Sequence, residues 1–160
     1  MPTDNQILIN IHNYIDSFLS KGVCIDYFTW LQTNGKLFTK IESNHPLFTN
    51  KILFKCKQHQ CFNNSVEIAI KYPQLNYYEG LINVYDSFYE HAVNEYNGLI
   101  LDFTSKQFNL INDISYIFVA PISFNTKQKY LETTKRTKEN DKIFKINNIN
   151  YFFLKQEDKI

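Results

Sequence analysis

The chain has 160 residues, with 17 Lys+Arg against 16 Asp+Glu and a formal net charge of +1. That length suits one domain spanning 1–160, and the near-neutral balance supplies no global field to draw the protein onto nucleic acid or an anionic membrane. Hydrophobic residues make up 44% and aromatics 16%, with 14 Phe and 11 Tyr against one Trp, so the core is built largely from rings whose Tyr hydroxyls need partners or water.

The N-terminal part, residues 1–50, reads as helical. Met1-Pro2-Thr3-Asp4 has neither the basic nor the apolar stretch of a secretory signal. No run approaches the ~18 apolar residues of a membrane span. Three cysteines, Cys24, Cys56 and Cys61, are an odd number in a chain too large to depend on disulfide staples. Free thiols in a reducing, cytoplasmic compartment are the expectation. Thr3-Asp4 caps a helix through about Leu19, with Ile7, Leu8, Ile11, Tyr14, Ile15, Phe18 and Leu19 on one stripe and Gly22 beyond its end. Residues 24–41 are apolar-rich around Asn34-Gly35, compatible with a short helix followed by a strand. Residues 42–50 read as a loop.

Cys61 to Tyr72 reads as a helix with Phe62, Val66, Ala69 and Ile70 on one face, stopped by Pro73. Leu75 to Asp86 alternates like a strand, with Tyr78, Ile82 and Val84 opposite Tyr77, Glu79 and Asn83. Gly80 interrupts it, as at a bulge or close approach. Glu90–Tyr96 and Leu99–Thr104 flank Asn97-Gly98, which predicts a hairpin with a type I′ turn. Tyr116–Pro121 is another apolar strand. Residues 126–141 are polar, a solvated helix or loop, and a C-terminal hairpin is expected over about 142–156, around Asn147-Asn148. The expected fold is therefore α+β, with a cysteine-bearing helix on an antiparallel sheet.

The predicted hairpin has chemical consequences. A two-residue loop sets Tyr96 opposite Leu99, Val93 opposite Asp102 and His91 opposite Thr104. His91 and Asp102 then share a face as diagonal neighbours, roughly 7 Å apart at the backbone. A carboxylate there accepts the imidazole N–H, fixes its tautomer and stabilises the imidazolium. Cys61 opens the preceding helix, where unpaired N–H groups and a nearby imidazolium favour the thiolate. Cys61, His91 and Asp102 thus form a candidate triad for nucleophilic acyl chemistry. The Cys61 N–H, with the side chain of Gln60 or Gln58, is placed to hold an oxyanion.

These residues resemble the transglutaminase-like branch of the papain-like superfamily. The resemblance rests on Cys61-Phe62-Asn63-Asn64-Ser65, Tyr78-Glu79-Gly80, His91-Ala92-Val93 and Leu101-Asp102-Phe103-Thr104, and the papain-like core it implies spans about 58–124. It implies Cys61 as nucleophile, His91 as base and Asp102 as orienting acid. Asn64 and Glu79 fall in the same pattern as structural or substrate-positioning residues. The chain departs from the family at Val93, where Trp is frequent, at Phe103, where Pro is frequent, and in having no Gly-rich run before Cys61.

The resulting expectation is a cysteine-nucleophile hydrolase or acyltransferase acting on an amide, peptide or related acyl bond, with no cofactor. The alternative is a catalytically degenerate binding or interaction module on the same fold. Cys56, His59 and Cys61 invite a zinc reading, yet no second ligand pair follows at zinc spacing, so no metal is expected. Lys127, Lys129, Lys135, Arg136 and Lys138 are diluted by Glu132, Glu139 and Asp141. A solvated face is the expectation there, not a nucleic-acid groove. The expected partner is a protein, peptide or small acyl substrate.

Overall fold

Thr3 caps the first helix, α1 (Asp4–Ser20): its hydroxyl accepts the Gln6 N–H at 3.3 Å. The structure, a computed structural model, describes residues 1–122. The expectations for 126–141 and for the hairpin at about 142–156 lie outside the described residues. Helix α1 ends in a Schellman arrangement, with Gly22 at φ 67, its N–H donating to Leu19 and that of Val23 to Phe18. Ile7, Ile11 and Ile15 are its buried residues, as the stripe predicts. Helix α2 (Ile25–Asn34) buries Tyr27, Phe28 and Leu31, and Phe28 stacks on Phe18 with ring centroids 4.7 Å apart. Among the described residues, Met1–Asn34 and Gly35–Ile122 are two compact units.

The second unit contains a five-stranded antiparallel sheet in the order β1-β5-β2-β3-β4. Its strands are β1 (Lys36–Phe38), β2 (Asn76–Val84), β3 (Ser87–Tyr96), β4 (Leu99–Leu101) and β5 (Ile114–Ile122). Residues 24–41 therefore hold a short helix and a strand. Short helix α3 (Asn50–Leu53), helix α4 (Cys61–Lys71), short helix α5 (Phe103–Gln107) and a 3-10 turn at Ile111–Asp113 complete the unit. The fold is α+β, as expected.

Two tight hairpins link β2 to β3 and β3 to the edge strand β4. Asn97 (φ 49) and Gly98 (φ 82) form the expected turn, with Tyr96 opposite Leu99 and Asn94 opposite Leu101. The Glu95 carboxylate accepts the Gly98 N–H. Tyr85 (φ 48) and Asp86 (φ 60) adopt the same positive-φ pair between β2 and β3 without any glycine. The Tyr85 hydroxyl donates to Asp113 Oδ1 at 2.6 Å, tying that turn to the start of β5.

Two local expectations are corrected. Gly80 lies in regular ladder between His91 and Val119, and the irregularity falls instead between Asn83 and Val84. Strand β4 stops at Leu101, so Asp102 does not face Val93 and Thr104 does not face His91. The reason is local: the Asp102 side chain accepts the Ser105 N–H and caps α5, a bond that an extended backbone cannot make.

One sheet face carries Tyr78, Ile82, Val93, Ile100, Ile117 and Val119 in a common apolar cluster. A second cluster joins Ile68 of α4 to Ile52, Leu53, Cys56, Leu75, Leu101 and Phe103. Helix α4 buries Asn64, Ser65, Val66, Ile68 and Ala69, while Phe62 and Ile70 are only half-buried. Its inward face thus includes two polar residues, and each has the hydrogen bonds that make its burial tolerable.

Candidate active site

The site is built where β3, α5 and the start of α4 meet. His91 lies on β3 where its neighbour β4 has already ended. Asp102 is the residue that turns the chain from β4 into α5. His91 Nε2 and Asp102 Oδ2 are 2.6 Å apart, with the Asp side chain fully buried and the His side chain 8% exposed. Expected diagonal strand neighbours are thus a strand residue and a helix cap, and their contact is closer than the predicted register required.

Asp102 is held by more than the imidazole. Its Oδ2 also accepts from Ser105 Oγ at 2.6 Å, and its Oδ1 from the Ser105 N–H at 2.9 Å. Burial alone pushes this carboxyl upward. The His91 charge and hydrogen bond, with the two bonds from Ser105, outweigh burial and hold it below the usual carboxylate range. Burial likewise pushes His91 downward, but the charges of Asp102 and Cys61 and hydrogen bonds to both lift it well above the ordinary imidazole value. With Nε2 committed to Asp102, Nδ1 is the nitrogen left for the Cys61 thiol.

Cys61 is the first residue of α4 and is partly exposed. It stands at a helix N-terminus whose cap residue, Gln60, makes no side-chain capping bond. His59 precedes it at φ 60. Gln58, His59 and Gln60 are all exposed. Cys56 differs from Cys61: it is 7% exposed, and burial first, then the charges of Asp102 and Glu67, push its thiol up to about 11. A thiol so protonated is a packing group. Among the described residues, no group of three or more His, Cys, Asp or Glu is placed to hold a metal ion.

Asn64 is 6% exposed and its amide is occupied within the protein. It accepts from the Lys57 N–H at 3.1 Å, and donates to the Lys57 carbonyl at 2.8 Å and to Thr104 Oγ1 at 3.0 Å. Glu79 is not brought to His91. It pairs with Ala92 whereas His91 pairs with Gly80, so the alternation of β strands sends the two side chains to opposite faces. Glu79 is 4% exposed, and burial pushes its carboxyl up to about 8 despite a 2.5 Å hydrogen bond from the Tyr77 hydroxyl.

Ser105 is the residue that sequence reasoning missed, and Thr104 and Ser65, quoted above within motifs, were given no role of their own. Asp102-Phe103-Thr104-Ser105 carries the spacing of a capping residue and its N3 partner, which is the signal that identifies the cap.

Comparison with protein-family models, curated proteins and solved structures finds no match to this chain. Its α+β architecture and the geometry above stand on their own. No helix among the described residues is long and apolar enough to cross a membrane.

Proposed function

We propose that this chain is a cysteine-nucleophile hydrolase or acyltransferase of transglutaminase-like, papain-like type, acting on an amide, peptide or related acyl bond. The observation that carries the reading is the buried His91–Asp102 pair at 2.6 Å, with Cys61 as the imidazole's other partner. A histidine raised well above its ordinary value by a buried carboxylate, and in contact with the Cys61 sulfur, is the proton donor and acceptor that nucleophilic acyl transfer requires.

The steps follow from that charge distribution. The Cys61 sulfur attacks the acyl carbon, a C–S bond forms, and the carbonyl electrons move onto oxygen. Backbone N–H groups at the start of α4, including that of Cys61, supply the donors for that oxyanion. As the tetrahedral species collapses, the bond to the leaving group breaks and His91 passes its proton to that group. A water or amine then attacks the thioester while His91 takes the attacker's proton, and the C–S bond breaks with its electrons on sulfur, returning Cys61 and His91 to their starting protonation states. Asp102 stays ionised throughout and holds the ring. Water as acceptor gives hydrolysis, and an amine gives transfer.

Limited alkylation tests this reading. With iodoacetamide at pH 7 and peptide mapping, Cys61 should label faster than Cys24, while Cys56 stays unlabelled. In His91→Ala the advantage of Cys61 over Cys24 should fall by on the order of tenfold or more. A Cys61 that labels no faster than Cys24, and is indifferent to His91→Ala, would sink the proposal.

A further inference from the structure

Cys61 has no conventional cap to fix it. Gln60 contributes no side-chain bond to the start of α4, His59 sits in the left-handed region, and residues 58–60 are exposed. Nucleophilic chemistry nevertheless needs the sulfur held to within fractions of an ångström of its imidazole. Some other contact must place the start of α4 against β3 and α5.

Two consecutive residues one turn along the helix make those contacts. Asn64 closes a two-bond ring onto a single residue of the preceding loop, accepting from the Lys57 N–H and donating to the Lys57 carbonyl. The same amide donates to Thr104 Oγ1 at 3.0 Å, and Thr104 lies two residues after Asp102 in the helix that Asp102 caps. Ser65 reaches the other partner. Its hydroxyl donates to the carbonyl of Ala92 at 3.1 Å, next to His91, and its own carbonyl accepts from Asn94 Nδ2 at 2.9 Å. Asn64 and Ser65 are 6% and 2% exposed, so water competes little for these bonds.

The geometry points to Asn64 and Ser65 as the positioning residues of the Cys61 site. Asn64 sets the thiol-bearing loop and helix against α5 and Asp102, and Ser65 sets the same helix against β3 and His91. This inference rests on the acyl-transfer reading above and adds how its three groups are kept in register. Neither side chain is required to touch substrate. Each acts by fixing the separation and direction between the Cys61 sulfur and the His91 ring.

The experiment compares alkylation of Cys61 with that of Cys24 in the full-length chain at pH 7, using iodoacetamide, alongside circular dichroism and thermal melts. Thr104→Val removes the bridge between α4 and α5 while keeping the side-chain shape. It should lower the Cys61 rate relative to Cys24 by on the order of tenfold with the fold retained, since a displacement of about 1 Å can cost far more than that. Thr104→Ser keeps the hydroxyl and should restore the rate. Ser65→Ala should lower the same ratio without altering Cys24. Asn64→Ala removes three bonds and should have the largest effect on the ratio. A folded Thr104→Val and a folded Ser65→Ala that label Cys61 at the wild-type rate, with only their melting temperatures lowered, would overturn the positioning role. A wild-type Cys61 no faster than Cys24 is a different result and overturns the acyl-transfer reading itself.

Discussion

Asp102 and Glu79 are both carboxylic acids buried in the unit of residues 35–122, and they end in opposite protonation states. Asp102 accepts from His91 Nε2, Ser105 Oγ and the Ser105 N–H, and is held below its ordinary range. Glu79 accepts from the Tyr77 hydroxyl, its Oε2 has no partner among the described residues, and it is pushed up to about 8 by burial, with the charge of Glu90 adding to the shift. Burial alone decides neither case. An ionised acid survives inside a protein when donors and a cation meet it, and takes up a proton when they do not. Glu79 also projects from the face of the sheet opposite to His91, the partner of Asp102.

The largest expected effect breaks the charged member. Asp102→Ala leaves His91 and Ser105 without their acceptor, and removing one partner of a buried pair costs about 3–5 kcal/mol. Urea midpoints measure it. The pH window follows from the two shifts. The native Asp102 carboxyl is depressed, so its contribution is present above the unfolded value of ~3.9 and is lost as pH falls through the lowered native value. His91 is raised, so its contribution is full below ~6.5 and is lost as pH rises through the native value. The gap between wild type and Asp102→Ala should therefore be widest at about pH 4–6.5 and narrow toward both extremes. A gap that does not vary with pH would show that the pair is not ionised.

Glu79→Gln tests the neutral member, and its pH dependence has one side. The native carboxyl is raised to about 8, so the stability linked to its proton is full below the unfolded value and disappears as pH rises through the native one. Wild-type stability relative to Glu79→Gln should decline between pH 5 and 8.5 by on the order of 4 kcal/mol. Parallel stability curves for the two proteins would show that Glu79 is solvated and already charged at pH 5.

The smallest of the three concerns the second donor to Asp102. Ser105→Ala removes the 2.6 Å bond from Oγ but leaves the backbone cap, and a hydrogen bond to a charged group contributes roughly 1.5–3 kcal/mol. It should raise the pH at which acid unfolding begins, because Asp102 loses one of the bonds that depress it. An unchanged acid midpoint would assign the depression to His91 and the Ser105 N–H alone.

How much of this was legible in the sequence depended on whether a residue type advertises its own conformation. Asn97-Gly98 does so, because a type I′ turn needs two positive φ values and those residues supply them at low cost. Tyr85-Asp86 takes up the same turn with no glycine, so its hairpin passed unread. The period of α1 identified all three of its buried isoleucines. The buried face of α4 was misjudged because apolar periodicity counts Phe62 and Ile70 and passes over Asn64 and Ser65, whose burial depends on partners distant in sequence. At the site, the types and order of Cys61, His91 and Asp102 were readable. The helix that Asp102 begins was not, because an apolar run from Leu99 suggested a strand through Thr104 and the Asp-x-x-Ser spacing went unread.

The order of the sheet also bears on how the chain avoids its own kind. Its long strands β5, β2 and β3 lie inside, and among the described residues its edges are β1 and β4, each only three residues long. Short edges are poor templates for pairing with another molecule. Strand β1, which opens with the exposed Lys36, lies against Ile117, Phe118 and Val119 of β5. Tyr116 to Ala120 is an uncharged apolar run of the kind that seeds cross-β stacking. While β1 is docked, the middle of this run is paired rather than open, and any fraying of β1 would uncover it as a free edge.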